Sequence, residues 1–396
     1  MNMITTLELH NFKCFRRQPI EFDNLTVLAG LNGMGKSSVI QALLLLRQSF
    51  IDGRSRRLKL SGELADLGTG ADVFFDLADE DDIGLILEVD QQVRYQYLFV
   101  YDRQSNSLAA RHGNARIGMF FPRLVRGEDG KWRPLEGNES RNHRFQRSSL
   151  LMNTRFQYLG AERLGPRKML PWSEEQIARR SLGPQGEHVL AFLAQYGSET
   201  LPDGDPRISA TDAKETIEGQ VTAWLQVTSP GSMLDISELR EIDAYVARYS
   251  YQRRGDVPSR PFRATNVGFG LSYVLPVITA LVAARPGDLV IIENPEAHLH
   301  PRGQTKLGEL SSRAAASGVQ VIIETHSDHF LDGVRLAVRN NLIEPKSTKV
   351  HYFTRHGAEA AVISPVIQAD GSLTEWPSGF FDERDENLIR LIAPID

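Results

Sequence analysis

Ala29-Gly30-Leu31-Asn32-Gly33-Met34-Gly35-Lys36-Ser37-Ser38 is the stretch that decides how this chain folds. It matches the pattern G-x-x-x-x-G-K-[ST] at every fixed position. Leu25-Thr26-Val27-Leu28-Ala29 before it reads as a buried strand. Ser38 to Phe50 after it, with Val39, Ile40, Leu43, Leu44 and Leu46, reads as a helix. Strand, glycine-rich turn and helix together set a row of backbone N–H groups at a helix N-terminus, which is an anion site. In such a loop Lys36 reaches the β- and γ-phosphates of a nucleotide and the Ser37 hydroxyl ligates Mg²⁺. Gly30, Asn32, Gly33, Gly35, Lys36, Ser37 and Ser38 are the candidate phosphate-binding residues.

Outward from this loop the sequence alternates. Ile4 to Phe12, Ile20 and Phe22 supply apolar strand positions, and residues 53–70 read as a loop. Ile83 to Val89 and Val93 to Tyr101 read as a strand pair. Residues 102–150 read as a polar surface insertion, and Phe156 to Gly160 as a short strand. Gly186 to Tyr196 and Thr211 to Gln226 read as helices, whereas Met233 to Gln252 mixes both signals. Leu271 to Ala284 reads as a buried helix kinked or started near Pro276. Strands at Asp288–Ile292 and Val319–Glu324 each precede a helix, and two more strands fall near 349–353 and 360–366. Strands and helices alternating around a P-loop predict an α/β fold, a P-loop NTPase with a mixed sheet flanked by helices. The expected division is 1–52 for the first half of this head, 53–255 for an inserted α+β lobe, 256–345 for the second half and 346–396 for a C-terminal module.

The chain has 396 residues, 41% hydrophobic and 24% charged, an ordinary globular composition. Cys14 is its single cysteine, which excludes an internal disulfide framework and any Cys-rich zinc site. The net charge of -5 gives no global attraction to nucleic acid, so such binding needs a local patch. Met1 to Phe12 lacks the pattern of a signal peptide, and Leu271–Ala284 is too short for a membrane span. A cytoplasmic location without membrane contact is expected.

Leu289-Val290-Ile291-Ile292-Glu293-Asn294-Pro295-Glu296 is an apolar strand ending in acidic residues, and Val321 to Ser327 is another ending in Thr325-His326-Ser327. Gly268-Phe269-Gly270-Leu271-Ser272 lies at a helix start, a second anion site. Together with the P-loop, these segments resemble the ABC-type ATPases of the SMC and RecF group, and most of all the compact AAA-type members related to the OLD family. The likeness covers residues 1–50 and 260–396 well. Leu7 to Lys13 looks like the family's first strand, and Trp376 to Asp382 resembles an uncharacterised C-terminal module found on some of these ATPases.

The resemblance implies ATP and Mg²⁺ as cofactors. It makes Glu293 the metal-holding acid beside Ser37, Gly270 and Ser272 part of the signature motif, and His326 the switch histidine. It further implies a homodimer or higher even oligomer around two ATP molecules, each touching Lys36 of one chain and Ser272 of the other. The family pattern Asp-Glu-Pro is replaced here by Glu293-Asn294-Pro295. Asn294 cannot accept a proton at neutral pH. Either Glu296 is the base or hydrolysis is slow. The expected function is an ATP-dependent switch in DNA transactions or antiviral defence, with a separate effector protein, a nuclease among the candidates, and nucleic acid as a candidate partner. The alternative is an ATP-binding scaffold that hydrolyses little and holds an effector assembly together.

Weaker signals point several ways. Arg141, Arg144, Arg147, Arg155, Arg163, Arg167, Lys168, Arg179 and Arg180 fall in one stretch. They could grip phosphates or be a solvated, ion-paired surface. Arg248, Arg253, Arg254, Arg260 and Arg263 form a second group. Gln157 is a candidate magnesium-sensing glutamine, and Arg163 reads best as half of a buried ion pair. Glu296, His298 and His300 are better read as a turn than as a zinc site, which needs three or four converging ligands. Trp376, Phe380 and Phe381 read as a packed anchor for the tail. No coiled-coil arms are present, and the stretch after His326 holds no Asp-x-Asp nuclease signature, so no fused nuclease of the OLD type is expected.

Overall fold

The computed structural model describes residues 3–50, 57–110, 123–127, 129–134, 155–209, 213–252, 259–357, 359–377, 379–381 and 383–392. The chain opens with β1 (Ile4–Phe12), β2 (Phe15–Glu21), β3 (Leu25–Gly30), α1 (Lys36–Phe50) and α2 (Gly70–Val73). There follow β4 (Asp82–Val89), β5 (Val93–Asp102), β6 (Ser107–Ala110), β7 (Arg123–Arg126), β8 (Trp132–Pro134), β9 (Phe156–Leu159) and β10 (Leu170–Pro171). Next come α3 (Glu174–Ala178), α4 (Val189–Tyr196), α5 (Ile217–Thr228), β11 (Ser232–Leu239), β12 (Ala244–Tyr251) and β13 (Phe262–Arg263). The last third holds α6 (Phe269–Ala283), β14 (Leu289–Glu293), α7 (Pro301–Ala316), β15 (Gln320–Thr325), α8 (Asp328–Arg339), β16 (Thr348–His356), β17 (Glu359–Ile363) and α9 (Glu383–Ile392).

The core sheet has the order β17-β16-β3-β15-β14-β9 and is parallel except for the edge strand β17. Its strands are continuous apolar runs because both faces are covered. The period of two divides their side chains cleanly. Leu28, Leu289, Ile291, Ile322 and Phe353 join the core around α1. Val27, Val290, Ile292, Val321, Ile323 and Val350 join the core formed with α4, α5, α6, α7 and α8. Helix α1 is buried on nearly every side, with Val39, Ile40, Leu43, Leu44, Leu45 and Leu46 buried. Such a helix needs cover on every side. The second cover is an antiparallel sheet, β2-β1-β4-β5-β7-β8 with β6 on β5.

This second sheet corrects the expected division. Residues 53–255 do not form one inserted lobe. β4 pairs with β1, so β4 to β8 extend the N-terminal strands, and β9 joins the core sheet beside β14. β6, β7 and β8 lie within the stretch read as a surface insertion. Only β10 to β13 make a small separate sheet, in which Met233–Gln252 resolves into the β11/β12 hairpin. The stretch expected as a C-terminal module begins inside the core sheet, because β16 pairs directly with β3. Phe380 is fully buried, its ring 4.8 Å from that of Tyr352, which anchors the tail as expected; Trp376 remains 45% exposed.

Helices α7 and α8 cross at a pair of glycines. A Cβ on Gly308 would lie 2.2 Å from the Phe330 carbonyl oxygen, and one on Gly333 would lie 2.1 Å from that of Thr305. Gly→Ala inside a helix ordinarily stabilises by roughly 0.5–1 kcal/mol. Here the obstacle is backbone, which cannot rotate aside, and overpacking costs about 1–3 kcal/mol. Gly308→Ala therefore lowers the urea midpoint; an equal or higher midpoint would show that the helices can part at no cost.

Candidate functional site

β3 delivers the chain to the phosphate loop from the middle of the sheet. Gly30, Gly33 and Gly35 have φ of 137°, 75° and 107°, a conformation that side chains with a Cβ resist. Space forbids a Cβ as well at two of them. At Gly30 it would lie 2.6 Å from the Phe353 carbonyl oxygen, and at Gly35 2.7 Å from the Phe15 ring. Gly33 faces open space, and Asn32 is exposed. Lys36 is 3% exposed, and its Nζ donates to the carbonyls of Gly30 (2.9 Å) and Leu31 (2.8 Å). Burial lowers its pKa, offset by the charges of Glu324 and Glu296. Ser38 is buried beside Cys14, their Oγ and Sγ 4.0 Å apart.

Opposite the loop stand three carboxylates, Glu324 buried and Glu293 and Glu296 half-buried. Glu293 ends β14, and its register partner across the ladder is Glu324 on β15, the strand between β14 and β3. The Ser37 hydroxyl donates to Glu324 Oε1 at 2.9 Å. Glu293 Oε1 accepts from the Tyr158 hydroxyl at 2.8 Å, and the Ala161 N–H also donates to this carboxylate. Glu296 Oε1 accepts from the His326 N–H at 2.8 Å. Glu296 Oε2 and Glu324 Oε2 are buried without a partner. Burial raises the pKa of all three acids. That of Glu324 reaches about 7, pushed up by burial first and then by the charge of Glu293, against the pull of Ser37 and Lys36. The His326 pKa is lowered by burial and then by Lys36, while its bond to the Gly30 backbone acts the other way.

A hydroxyl, carboxylates with orphaned oxygens and a glycine loop at a helix N-terminus are hard-oxygen and anion partners, which fits Mg²⁺ with a nucleotide phosphate. Glu324 was missed in the sequence reading, although a carboxylate ending an apolar strand is itself a signal of a buried, employed charge.

The end of β14 explains the unusual triplet. Asn294 has φ 46°, a left-handed conformation that asparagine tolerates better than most residues. Its N–H donates to the Glu324 carbonyl at 2.8 Å. Arg163 holds this corner. Its Nη1 donates to the carbonyls of Gly160 (2.9 Å) and Glu293 (2.6 Å), and its Nη2 to that of Asn294 (2.5 Å). It is 3% exposed and grips backbone, which corrects the expected buried ion pair.

Gly268 to Ser272 do open a helix, α6. Gly270 is required by contact, since a Cβ there would lie 2.7 Å from the His298 carbonyl oxygen. Ser272 is half-buried. It is hydrogen-bonded to the Tyr249 side chain and lines a cavity with Leu170, Ala247 and Pro276 that includes none of residues 30–38. The exposed part of the candidate signature is Gly268 and Phe269, the latter 60% exposed.

Gln157 is not at this site. Its Oε1 accepts from Leu182 N at 3.0 Å, at a cavity on the other side of β9. His298 packs on the rings of Phe269 and Tyr273, and the His300 side chain caps α7. Among the described residues no three His, Cys, Asp or Glu side chains converge on a metal position. Arg141, Arg144, Arg147, Arg253 and Arg254 lie outside the described residues. Of the remaining arginines of the first basic stretch, Arg155, Arg179 and Arg180 pair with Asp288, Glu175 and Glu199.

Three family models match the chain. An AAA ATPase domain covers residues 3–132, and an AAA domain described as a putative AbiEii toxin of a type IV toxin–antitoxin system covers 197–332. A protein of unknown function, DUF3696, covers 343–391. Laid over the P-loop and its carboxylates, these matches define an AAA-type P-loop ATPase. Within that class the chain carries the small C-terminal module of the third model. No curated protein matches it. Among solved structures, it is similar to an SMC head bound to the C-winged helix domain of ScpA (13% identity, 92% of this chain and 98% of that one, TM-score 0.49). It is also similar to the SMC head domain from Thermotoga maritima (13%, 92% and 98%, 0.45). A third is the Pyrococcus furiosus Smc head domain with an extended coiled coil, bound to the C-terminal domain of ScpA (12%, 99% and 100%, 0.48). No helix among the described residues is long and apolar enough to cross a membrane.

Proposed function

We propose that the chain binds ATP with Mg²⁺ at Gly30–Ser38, closes as a homodimer around two ATP molecules and switches a separate effector protein. The observation that carries this reading is the juxtaposition of Lys36 and Ser37 with the carboxylates of Glu324 and Glu296. Lys36 exchanges the carbonyls of Gly30 and Leu31 for phosphate oxygens. Glu296, fixed through His326 N, accepts the proton of an attacking water. The metal neutralises phosphate charge when bound. ATP drives closure only by its greater affinity for the closed dimer. The toxin–antitoxin description of one matching family favours a defence role over housekeeping DNA work.

In the closed dimer the start of α6 meets the partner's nucleotide. Gly268 has ordinary angles for an N-cap (φ −58°, ψ 140°), and its Cβ position is open space. Aspartate is a favourable N-cap, so Gly268→Asp leaves the monomer at least as stable. Its charge repels the partner's phosphates. ATP-dependent dimerisation, followed by light scattering, is expected in the wild type and absent in the variant. Equal ATP-driven dimer in both would rule the sandwich out.

The scaffold reading is favoured by one observation, Asn294 at the position the family gives to its base. Steady-state turnover, with and without DNA, separates the two; sustained ATP hydrolysis excludes a passive scaffold.

A further inference from the structure

We propose that Glu324, ahead of Glu293, is the carboxylate that holds the nucleotide's magnesium ion beside Ser37. The proposal rests on the nucleotide site described above and assigns its metal-holding acid. Three observations carry it.

Position comes first. Glu293 and Glu324 are register partners, so both lie equally far along the sheet. β15 lies between β14 and the P-loop strand β3, which puts Glu324 one strand closer to the loop, about 4.8 Å. Its Oε1 touches the Ser37 hydroxyl at 2.9 Å.

Occupancy comes second. The Glu293 carboxylate is drawn toward β9 by the Tyr158 hydroxyl and the Ala161 N–H. Those donors sit on the side of β14 away from the P-loop. Glu293 Oε1 is therefore engaged on the far side of β14, whereas Glu324 Oε1 already touches Ser37.

The third is an unanswered acceptor. Glu324 is 4% exposed, and its Oε2 is buried with no hydrogen-bond partner. A carboxylate needed only to orient Ser37 would have its second oxygen solvated or paired, because buried polar groups are almost always satisfied. A cation beside Ser37 would supply the partner that Oε2 lacks. Mg²⁺ is usually held by one or two carboxylates together with waters and substrate phosphates, so Ser37 and Glu324 suffice as the protein's share. This also relieves the Glu-Asn-Pro triplet of a metal role, since the acid at its head is then free to be held by Tyr158.

The test is calorimetric titration of ATP into the full chain, once with Mg²⁺ and once with EDTA, for wild type, Glu324→Gln, Glu324→Asp and Glu293→Gln. Mn²⁺ with ATP, followed by electron paramagnetic resonance, reports the metal directly. Wild type is expected to bind tighter with metal. Glu324→Gln should lose at least tenfold in metal-dependent affinity and the bound Mn²⁺ signal, with its EDTA affinity unchanged. Glu324→Asp should recover part of both, and Glu293→Gln should keep both. Glu324→Gln retaining the metal effect would overturn the proposal. So would an equal loss with Mg²⁺ and with EDTA, which would assign Glu324 to the architecture of the loop, or a comparable metal-dependent loss in Glu293→Gln. A wild type that binds no ATP would instead refute the nucleotide site itself.

Discussion

Lys36→Ala weakens ATP binding by about a hundredfold or more. A hydrogen bond to a charged group contributes roughly 1.5–3 kcal/mol, and every 1.4 kcal/mol is about tenfold in affinity. Lys36 supplies more than one such bond, and its Nζ already sits in the loop, held by the Gly30 and Leu31 carbonyls. Arg163 does not replace it, being committed to the end of β14. Calorimetry at fixed Mg²⁺ reads the effect directly. Unchanged affinity in the variant would remove the P-loop from nucleotide binding altogether.

Glu296→Gln leaves ATP bound and slows single-turnover hydrolysis by about 10²–10⁴-fold, the usual contribution of a general base. The carboxylate is well placed for the role. One oxygen is fixed by His326 N, and the other is buried with no donor to compete for it. Burial raises its pKa above the usual carboxylate range. Only the ionised form accepts a proton, so the wild-type rate should rise with pH through a limb displaced upward from that range. If Glu296→Gln hydrolyses as fast as a fast wild type, the base is another group, and Glu293 becomes the first alternative.

The parts of this site that could be read from sequence are those built by short, contiguous segments. Strand, glycine turn and helix at 25–50 form one local motif, and the acid at the end of an apolar strand at 289–293 follows a simple period. What escaped reading depends on pairing across the chain. β4 joins β1 and β9 joins β14 from far away in sequence, and a four-residue strand such as β9 carries too few residues to announce its neighbour. Glu324 was hidden by the apolar run around it, although its register against Glu293 is what makes it important. Ser272 shows a different limit of the sequence. Spacing put it in the first turn of α6, but the helix's phase turns its hydroxyl toward Tyr249.

The contacts between the first turn of α6 and the loop after β14 give the two ends of the site a common fate. Gly270 lies against the His298 carbonyl, the rings of Phe269 and Tyr273 bracket His298, and Arg163 ties the end of β14 beneath Tyr273. The surface that would greet a neighbour's nucleotide and the corner that would act on the chain's own are thus one mechanical piece. In a closed pair, a shift of that corner on hydrolysis would loosen the grip on the opposite nucleotide. By reciprocity of coupled equilibria, loss of the opposite nucleotide would reposition the corner by the same free energy. Such a pair would fire its two sites in concert, as a latch with two bolts on one bar.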